Sequence, residues 1–358
     1  MKNLLSNSIL IILLFCIVSI SEAQTTFNRV DSIKVETAIS GIFFKNPWAG
    51  GLSSCQISDV DLDGDGKKDL FVFEASGNKI INFLNKETYK TTNYIHAPKY
   101  ENQFHPVYGW VLFRDYNCDG KNDMYTYYPT GSGISLYKNV STPGNLAFVQ
   151  VTKSLRFYNL ATMVTSNIYA SVSDLPAIDD IEGDGDLDIL LIAEGDLIRQ
   201  LKNQVICLKN DGQGNFANPE VILDSGGTGW LGTFDINSDS HLDMLTLSIL
   251  DSELSWYPGN TSTDFGDRNI ISTETRGFTS VHTADLNQDG TKDVLAASWI
   301  DNSITWFPNN GNGIFGEQQN VTTELNEVDV AFDVDYDNDG DQDIVAGTDD
   351  ASWSDNLN

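Results

Sequence analysis

Six times along the chain a short, acidic, glycine-containing stretch gives way at once to an apolar run. The runs are Leu70-Phe71-Val72-Phe73, Met124-Tyr125-Thr126-Tyr127, Ile189-Leu190-Leu191-Ile192, Met244-Leu245-Thr246-Leu247, Val294-Leu295-Ala296-Ala297 and Ile344-Val345-Ala346. They are short, rich in β-branched and aromatic residues and bounded by turn formers, which predicts buried strands. A second run follows a turn in each unit. At matched phase it carries Phe83, Tyr137, Tyr257 and Phe307, with Asn85, Asn139, Gly259 and Asn309 two residues on. Trp256 and Trp306 precede two of these aromatics, and the stripe reads as packing between strands rather than as a ligand platform. In the third unit the equivalent Asn210 comes six residues late, so an insertion is expected near Gly195–Gln204.

A glycine turn closes the second run. Asn310-Gly311-Asn312-Gly313-Ile314-Phe315 repeats Asp211-Gly212-Gln213-Gly214-Asn215-Phe216. Residues 311–316 spell G-x-G-x-x-G, but a dinucleotide site needs a helix next and an acid about twenty residues further on. A strand-like segment, Glu317 to Val321, follows instead, so the motif reads as a hairpin turn. Each unit is then strand, acidic loop, strand, strand, glycine turn, strand, with no amphipathic helix. Four-stranded units repeated radially predict an all-β fold, a β-propeller whose closure protects its sheet edges.

The acidic stretches share the frame D-x-D-x-D-G-x-x-D. The first uses Asp61, Asp63, Asp65 and Asp69, with Lys67 at position 7. The second uses Asp115, Asn117, Asp119, Lys121 and Asp123, and the third Asp180, Glu182, Asp184, Asp186 and Asp188. The fourth uses Asp235, Asn237, Asp239, His241 and Asp243, with Ser240 where glycine is expected. The fifth uses Asp285, Asn287, Asp289, Thr291 and Asp293, and the sixth Asp335, Asp337, Asp339, Asp341 and Asp343. First ligands stand 54, 65, 55, 50 and 50 residues apart. A hard cation such as Ca²⁺ takes six to eight oxygens at roughly 2.3–2.6 Å. Side chains at positions 1, 3, 5 and 9 and the backbone carbonyl at position 7 can supply them, with glycine at 6 for the turn. Up to six Ca²⁺ ions are expected, the second, fourth and fifth loops weaker for their asparagines, and the fourth also strained by Ser240. Position 12 holds Val72, Thr126, Leu191, Thr246, Ala296 and Ala346, none the Glu of an EF-hand.

The formal net charge is −30 and the pI near 4.1. The four side-chain positions of the loops hold 4, 3, 4, 3, 3 and 4 carboxylates, 21 of the 51 acidic residues. Two fifths of the acidity is therefore a binding inventory, and the charge argues against nucleic acid or an anionic membrane as partner. Residues 1–23 carry Lys2, an apolar stretch from Ile9 to Ile20 and Ser21-Glu22-Ala23, a signal peptide cleaved after Ala23, so a secreted or cell-surface protein is expected. That apolar stretch is short for a membrane span, and none is expected in the mature chain. Export leaves Cys55, Cys118 and Cys207, of which the first two could pair if adjacent units face each other.

The repeated loop and strand, the aromatic-x-Asn and the Asn-x-Gly-x-Gly-x-Phe turn resemble the FG-GAP/VCBS repeat family of integrin-α-like propellers across residues 50–350. Asn46-Pro47-Trp48-Ala49-Gly50-Gly51 with Ser54-Cys55-Gln56 is similar to the version in surface proteins of gliding, type IX-secreting bacteria. The resemblance implies Ca²⁺ in the loops, an extracellular location, adhesion or glycan contact, and seven blades in the intact protein. It divides the chain into the signal peptide, an N-terminal strand segment at 24–49 and a propeller at 50–358. The six units are about 50–107, 108–170, 171–226, 227–276, 277–326 and an incomplete 327–358. Phe27–Ile33 is the candidate to close the ring, and the expected chain is a truncated one that would associate.

No H-E-x-x-H, G-x-S-x-G, P-loop or C-x-x-C is present, and His96, His105, His241 and His282 share no ligand spacing. The expectation is a non-enzymatic module that binds an extracellular protein or glycan. The alternative is a polysaccharide lyase or hydrolase on the same scaffold. Tyr89 to Trp110 is the best aromatic surface for either, although core packing of an enlarged blade is its expected use.

Overall fold

A computed structural model describes residues 55–348, except 87–93, 160–161, 173–174, 194–203, 225–227, 249, 324, 326 and 335–341. The apolar runs after each acidic loop are the second strands of antiparallel meanders. Blade one is β1 (Cys55–Val60), β2 (Asp69–Glu74), β3 (Lys79–Asn85) and β4 (Tyr94–His96), followed by the single turn of α1 (Pro98–Glu101). Blade two is β5 (Val111–Arg114), β6 (Asp123–Tyr128), β7 (Gly133–Asn139) and β8 (Phe148–Thr152), after which β9 (Arg156–Asn159) and β10 (Val164–Asn167) form a separate hairpin. Blade three is β11 (Ala177–Asp179), β12 (Asp188–Ala193), β13 (Gln204–Leu208) and β14 (Glu220–Leu223). Blade four is β15 (Thr228–Phe234), β16 (Asp243–Ser248), β17 (Glu253–Tyr257) and β18 (Asn269–Ser272). Blade five is β19 (Phe278–Ala284), β20 (Asp293–Ser298), β21 (Ser303–Phe307) and β22 (Gln319–Thr322). β23 (Val328–Val334) pairs with β24 (Asp343–Thr348) in a two-stranded sheet.

The second strands read as unbroken apolar runs because both of their faces are covered. Five of the six residues of β12 and all six of β20 are buried. The cover comes from neighbouring blades. Phe71 and Phe73 of blade one pack with Phe113, Met124 and Phe148 of blade two. Leu190 and Val205 of blade three meet Met244 and Tyr257 of blade four. Leu247 and Trp256 of blade four meet Phe278 and Val294 of blade five. Leu295 and Ile304 of blade five meet Ala331 and Ile344 of the β23–β24 sheet, and Val330 of β23 packs against Val72 and Ile81 of blade one. β23 also contacts both β19 and β1. The aromatic stripe does pack between strands: Phe83, Tyr137, Tyr257 and Phe307 are all buried.

Several expectations are corrected. Among the described residues the propeller has five four-stranded blades rather than six or seven, the last sheet contributing only β23 and β24. The aromatic segment before Trp110 is, as expected, core packing of an enlarged first blade rather than binding surface. Tyr94, Tyr100, Phe104 and Trp110 are buried, and Phe71 meets Phe104 and Phe113 at 4.9 Å between ring centroids. His96 Nε2 lies 2.8 Å from Glu101 Oε1, which ties α1 to β4. Only Tyr108 of this group is strongly exposed, and Tyr89 lies outside the described residues. Buried Cys55 and exposed Cys118 are not joined by a disulfide. The signal peptide, the Phe27–Ile33 strand, the insertion up to residue 203 and residues 349–358 lie outside the described residues.

Candidate cation loops

In a meander, the link from first to second strand and the link from third to fourth strand fall at the same end of the blade. All five described acidic loops join first to second strands, so they gather at one end of the ring with the glycine turns. Blade one's loop also touches its neighbour, where Gly144 N–H donates to the Asp63 carbonyl at 2.6 Å.

One hydrogen-bond scheme builds each of the five described loops. The position-1 carboxylate accepts the N–H groups of positions 5 and 6. Asp61 takes Asp65 and Gly66 at 3.2 and 3.0 Å, Asp115 takes Asp119 and Gly120 at 3.1 and 2.7 Å, and Asp180 takes Asp184 and Gly185 at 2.9 Å each. Asp235 takes Asp239 and Ser240 at 3.1 and 3.0 Å, and Asp285 takes Asp289 and Gly290 at 3.0 and 2.9 Å. The position-5 carboxylate accepts the N–H of position 7, from Lys67, Lys121, Asp186, His241 and Thr291 in turn. Position 6 is left-handed throughout, with φ of +85° at Gly66, +82° at Gly120, +97° at Gly185, +87° at Gly290 and +68° at Ser240. Ser240 alone carries a Cβ there and is strained for it. Position 4 is left-handed too, at Gly64, Cys118, Gly183, Ser238 and Gln288.

The position-9 carboxylates do more than the sequence suggested. Asp69, Asp123, Asp188, Asp243 and Asp293 are 0–1 % exposed. In each, one oxygen accepts the N–H of position 2, from Leu62, Tyr116, Ile181, Ile236 and Leu286 at 2.8–3.2 Å. The other accepts an N–H at or just beyond the end of the third strand, from Asn85, Asn139, Asn210, Gly259 and Asn309 at 2.6–2.9 Å. One side chain thus pins the loop to two strands. The matching asparagines complete the pin, because their Nδ2 groups donate to the carbonyls of Lys68, Asn122, Leu187 and Lys292. In blade four the asparagine is replaced by Gly259, where a Cβ would stand 1.9 Å from the Leu242 carbonyl oxygen, so the backbone itself closes the gap. Burial pushes the carboxyls of Asp69 and Asp188 up to about 6, and those of Asp123, Asp243 and Asp293 upward as well.

The rim carboxylates of the first loop fit a hard cation. Oxygens of Asp61, Asp63 and Asp65 all lie within 4.8 Å of one another. Two oxygens on opposite sides of a Ca²⁺ ion at roughly 2.4 Å each stand about 4.8 Å apart. Oxygens already accepting one N–H keep a second lone pair. A stand-in cation is present too: Lys86 Nζ bonds Asp63 and lies 3.4 Å from Asp65. Lys138 Nζ reaches Asp119 at 3.0 Å, and its ammonium holds that carboxyl below its usual range. Lys209 Nζ reaches Glu182 at 3.1 Å. Of the sixth loop's candidate ligands only Asp343, at the start of β24, is described; Asp335, Asp337, Asp339 and Asp341 lie outside the described residues.

The sequence profile of FG-GAP-like repeats matches residues 61–126, 180–246, 235–296 and 285–346, each match opening on a loop's first aspartate. The chain belongs to the FG-GAP-like repeat family. No curated protein matches. Among solved structures, an FG-GAP propeller of this kind is similar to an Agrocybe aegerita lectin that recognises non-reducing terminal N-acetylglucosamine. The identity is 17 % and the TM-score 0.49, with 85 % of this chain and 80 % of that chain covered. It is also similar to part of the Photorhabdus luminescens Tc holotoxin pore, at 15 % identity and TM-score 0.48, covering 81 % of this chain and 13 % of that one. A TcdB2-TccC3 structure matches at 14 % identity and TM-score 0.40, covering 81 % and 14 %. This FG-GAP chain thus spans about an eighth to a seventh of the length of the toxin chains.

Proposed function

We propose that the protein is an exported, calcium-binding β-propeller that acts as a non-enzymatic adhesion or ligand-binding module for an extracellular protein or glycan. The observation that carries the calcium part is the five-fold recurrence of one loop scheme, all hard oxygen donors, at one end of the ring. The rim carboxylates would hold the ions, and Ca²⁺ would supply the positive charge that the crowded acids need. With one end given to cations, the opposite end carries the links between second and third strands. There Leu250 is 78 % and Trp299 49 % exposed, apolar surface suited to contact with a partner.

The test is a glycan and protein-ligand array probed with purified, Ca²⁺-loaded protein, with bound glycans then checked for cleavage. Binding without turnover, weakened by Trp299→Ala, is expected. Release of shortened oligosaccharides would overturn the non-enzymatic reading in favour of a polysaccharide lyase or hydrolase.

A further inference from the structure

The lysines seated on the acidic loops are not distributed by chance of position. Lys138 and Lys209 each stand one residue before the asparagine that completes the buried pin, at the end of the third strand. In blades four and five that position is Pro258 and Pro308, which cannot reach the loop. Blade one has Leu84 there, and its lysine arrives from the other side of the asparagine, as Lys86. Two different sequence positions therefore deliver an ammonium group to the same place, the carboxylates of loop positions 3 and 5. In blade four, among the described residues, only His241, at 3.2 Å from Asp239, approaches the corresponding group. In blade five Asp289 is met by the Thr291 hydroxyl, and among the described residues no basic side chain pairs with Asp285 or Asp289.

We infer that Lys86, Lys138 and Lys209 are tethered counter-ions that compete with the divalent cation for loops one to three, while loop five takes the cation without an internal rival. This rests on the calcium reading above and sharpens it. An ammonium on a flexible stem neutralises one charge when the ion is absent and swings into solvent when it binds. The lysines are about a third exposed, so they have room to leave. Ligand charge alone ranks loops one and three above loop five; the lysines narrow or reverse that order.

The test is calorimetric titration of Ca²⁺ into the chelator-stripped full chain, beside the triple variant Lys86→Gln, Lys138→Gln, Lys209→Gln and the reciprocal Pro308→Lys. Partly exposed ion pairs of this kind change affinity by about two- to fivefold. The triple variant is expected to tighten three sites by that factor and, in chelator, to melt lower than the parent. Pro308→Lys is expected to weaken one site. The differences should shrink at high salt as screening grows. Calcium uptake by the parent with unchanged affinities in both variants would overturn the competition and leave the calcium reading standing. No uptake by the parent would overturn both.

Discussion

Within each loop the aspartates of the rim and the aspartate of the ninth position look alike in sequence and live in different physics. At the rim, Asp61 and Asp65 face solvent and Asp63 is half-buried; they hold the turn by accepting local N–H groups and meet a lysine. At the ninth position, Asp69 is buried and joins Leu62 to Asn85 across two strands. A motif read as one ligand set is thus two devices. One is an exposed claw whose charge needs a counter-ion, and the other a buried pin whose hydrogen bonds hold the blade.

That contrast predicts the largest effect at the pin. Asp293→Ala leaves the N–H groups of Leu286 and Asn309 without their acceptor. At roughly 1–3 kcal/mol for each orphaned group, the loss should be on the order of 2–6 kcal/mol. Urea unfolding should show it with or without Ca²⁺. Asp63→Ala should behave differently, costing at most about 2.7 kcal/mol at a hundredfold excess of Ca²⁺ over Kd and under about 1 kcal/mol in chelator. Equal losses from both variants in both conditions would erase the distinction.

A smaller effect is expected at the fourth turn. Ser240→Gly relieves a left-handed φ of +68° and should stabilise by about 0.5–1 kcal/mol, seen as a higher denaturation midpoint. Loss of stability there would mean that the serine side chain makes up for the strain.

The smallest effect is in pH. Burial raises the carboxyls of Asp69 and Asp188 to about 6, above their unfolded value, so the protonated forms favour the folded state. That contribution is complete below about pH 4 and is lost as pH rises through about 6. In chelator the melting temperature should therefore rise when pH falls from 7.5 to 5. With Ca²⁺ bound the trend should reverse, because protons compete with the ion. A flat profile in chelator would show that these pins are less desolvated than their burial implies.

Much of this was legible in the chain. The loop frame, the strand after each loop, the position-6 glycines and the packed aromatics follow from local pattern, because each has a steric or burial requirement that only certain residues meet. The left-handed position 4 was hidden because Cys118, Ser238 and Gln288 carry no signal for it. The role of the asparagines was hidden because their partners lie at least 16 residues away. The lysine claws depend on strand register, which spacing alone does not supply. The burial of Tyr100 and Trp110 agrees with the core packing expected of an enlarged blade, whereas the β9–β10 hairpin is set by tertiary packing and left no local signal.

The central claim is that the loops are divalent-cation sites which stabilise the ring while the buried pins define its blades. It is tested most directly by thermal unfolding of the full chain in millimolar Ca²⁺ and again in excess chelator. The account predicts a cooperative transition in both, lower by many degrees in chelator, because several sites each contribute RT ln(1 + [L]/Kd). Superimposable melting curves would contradict it.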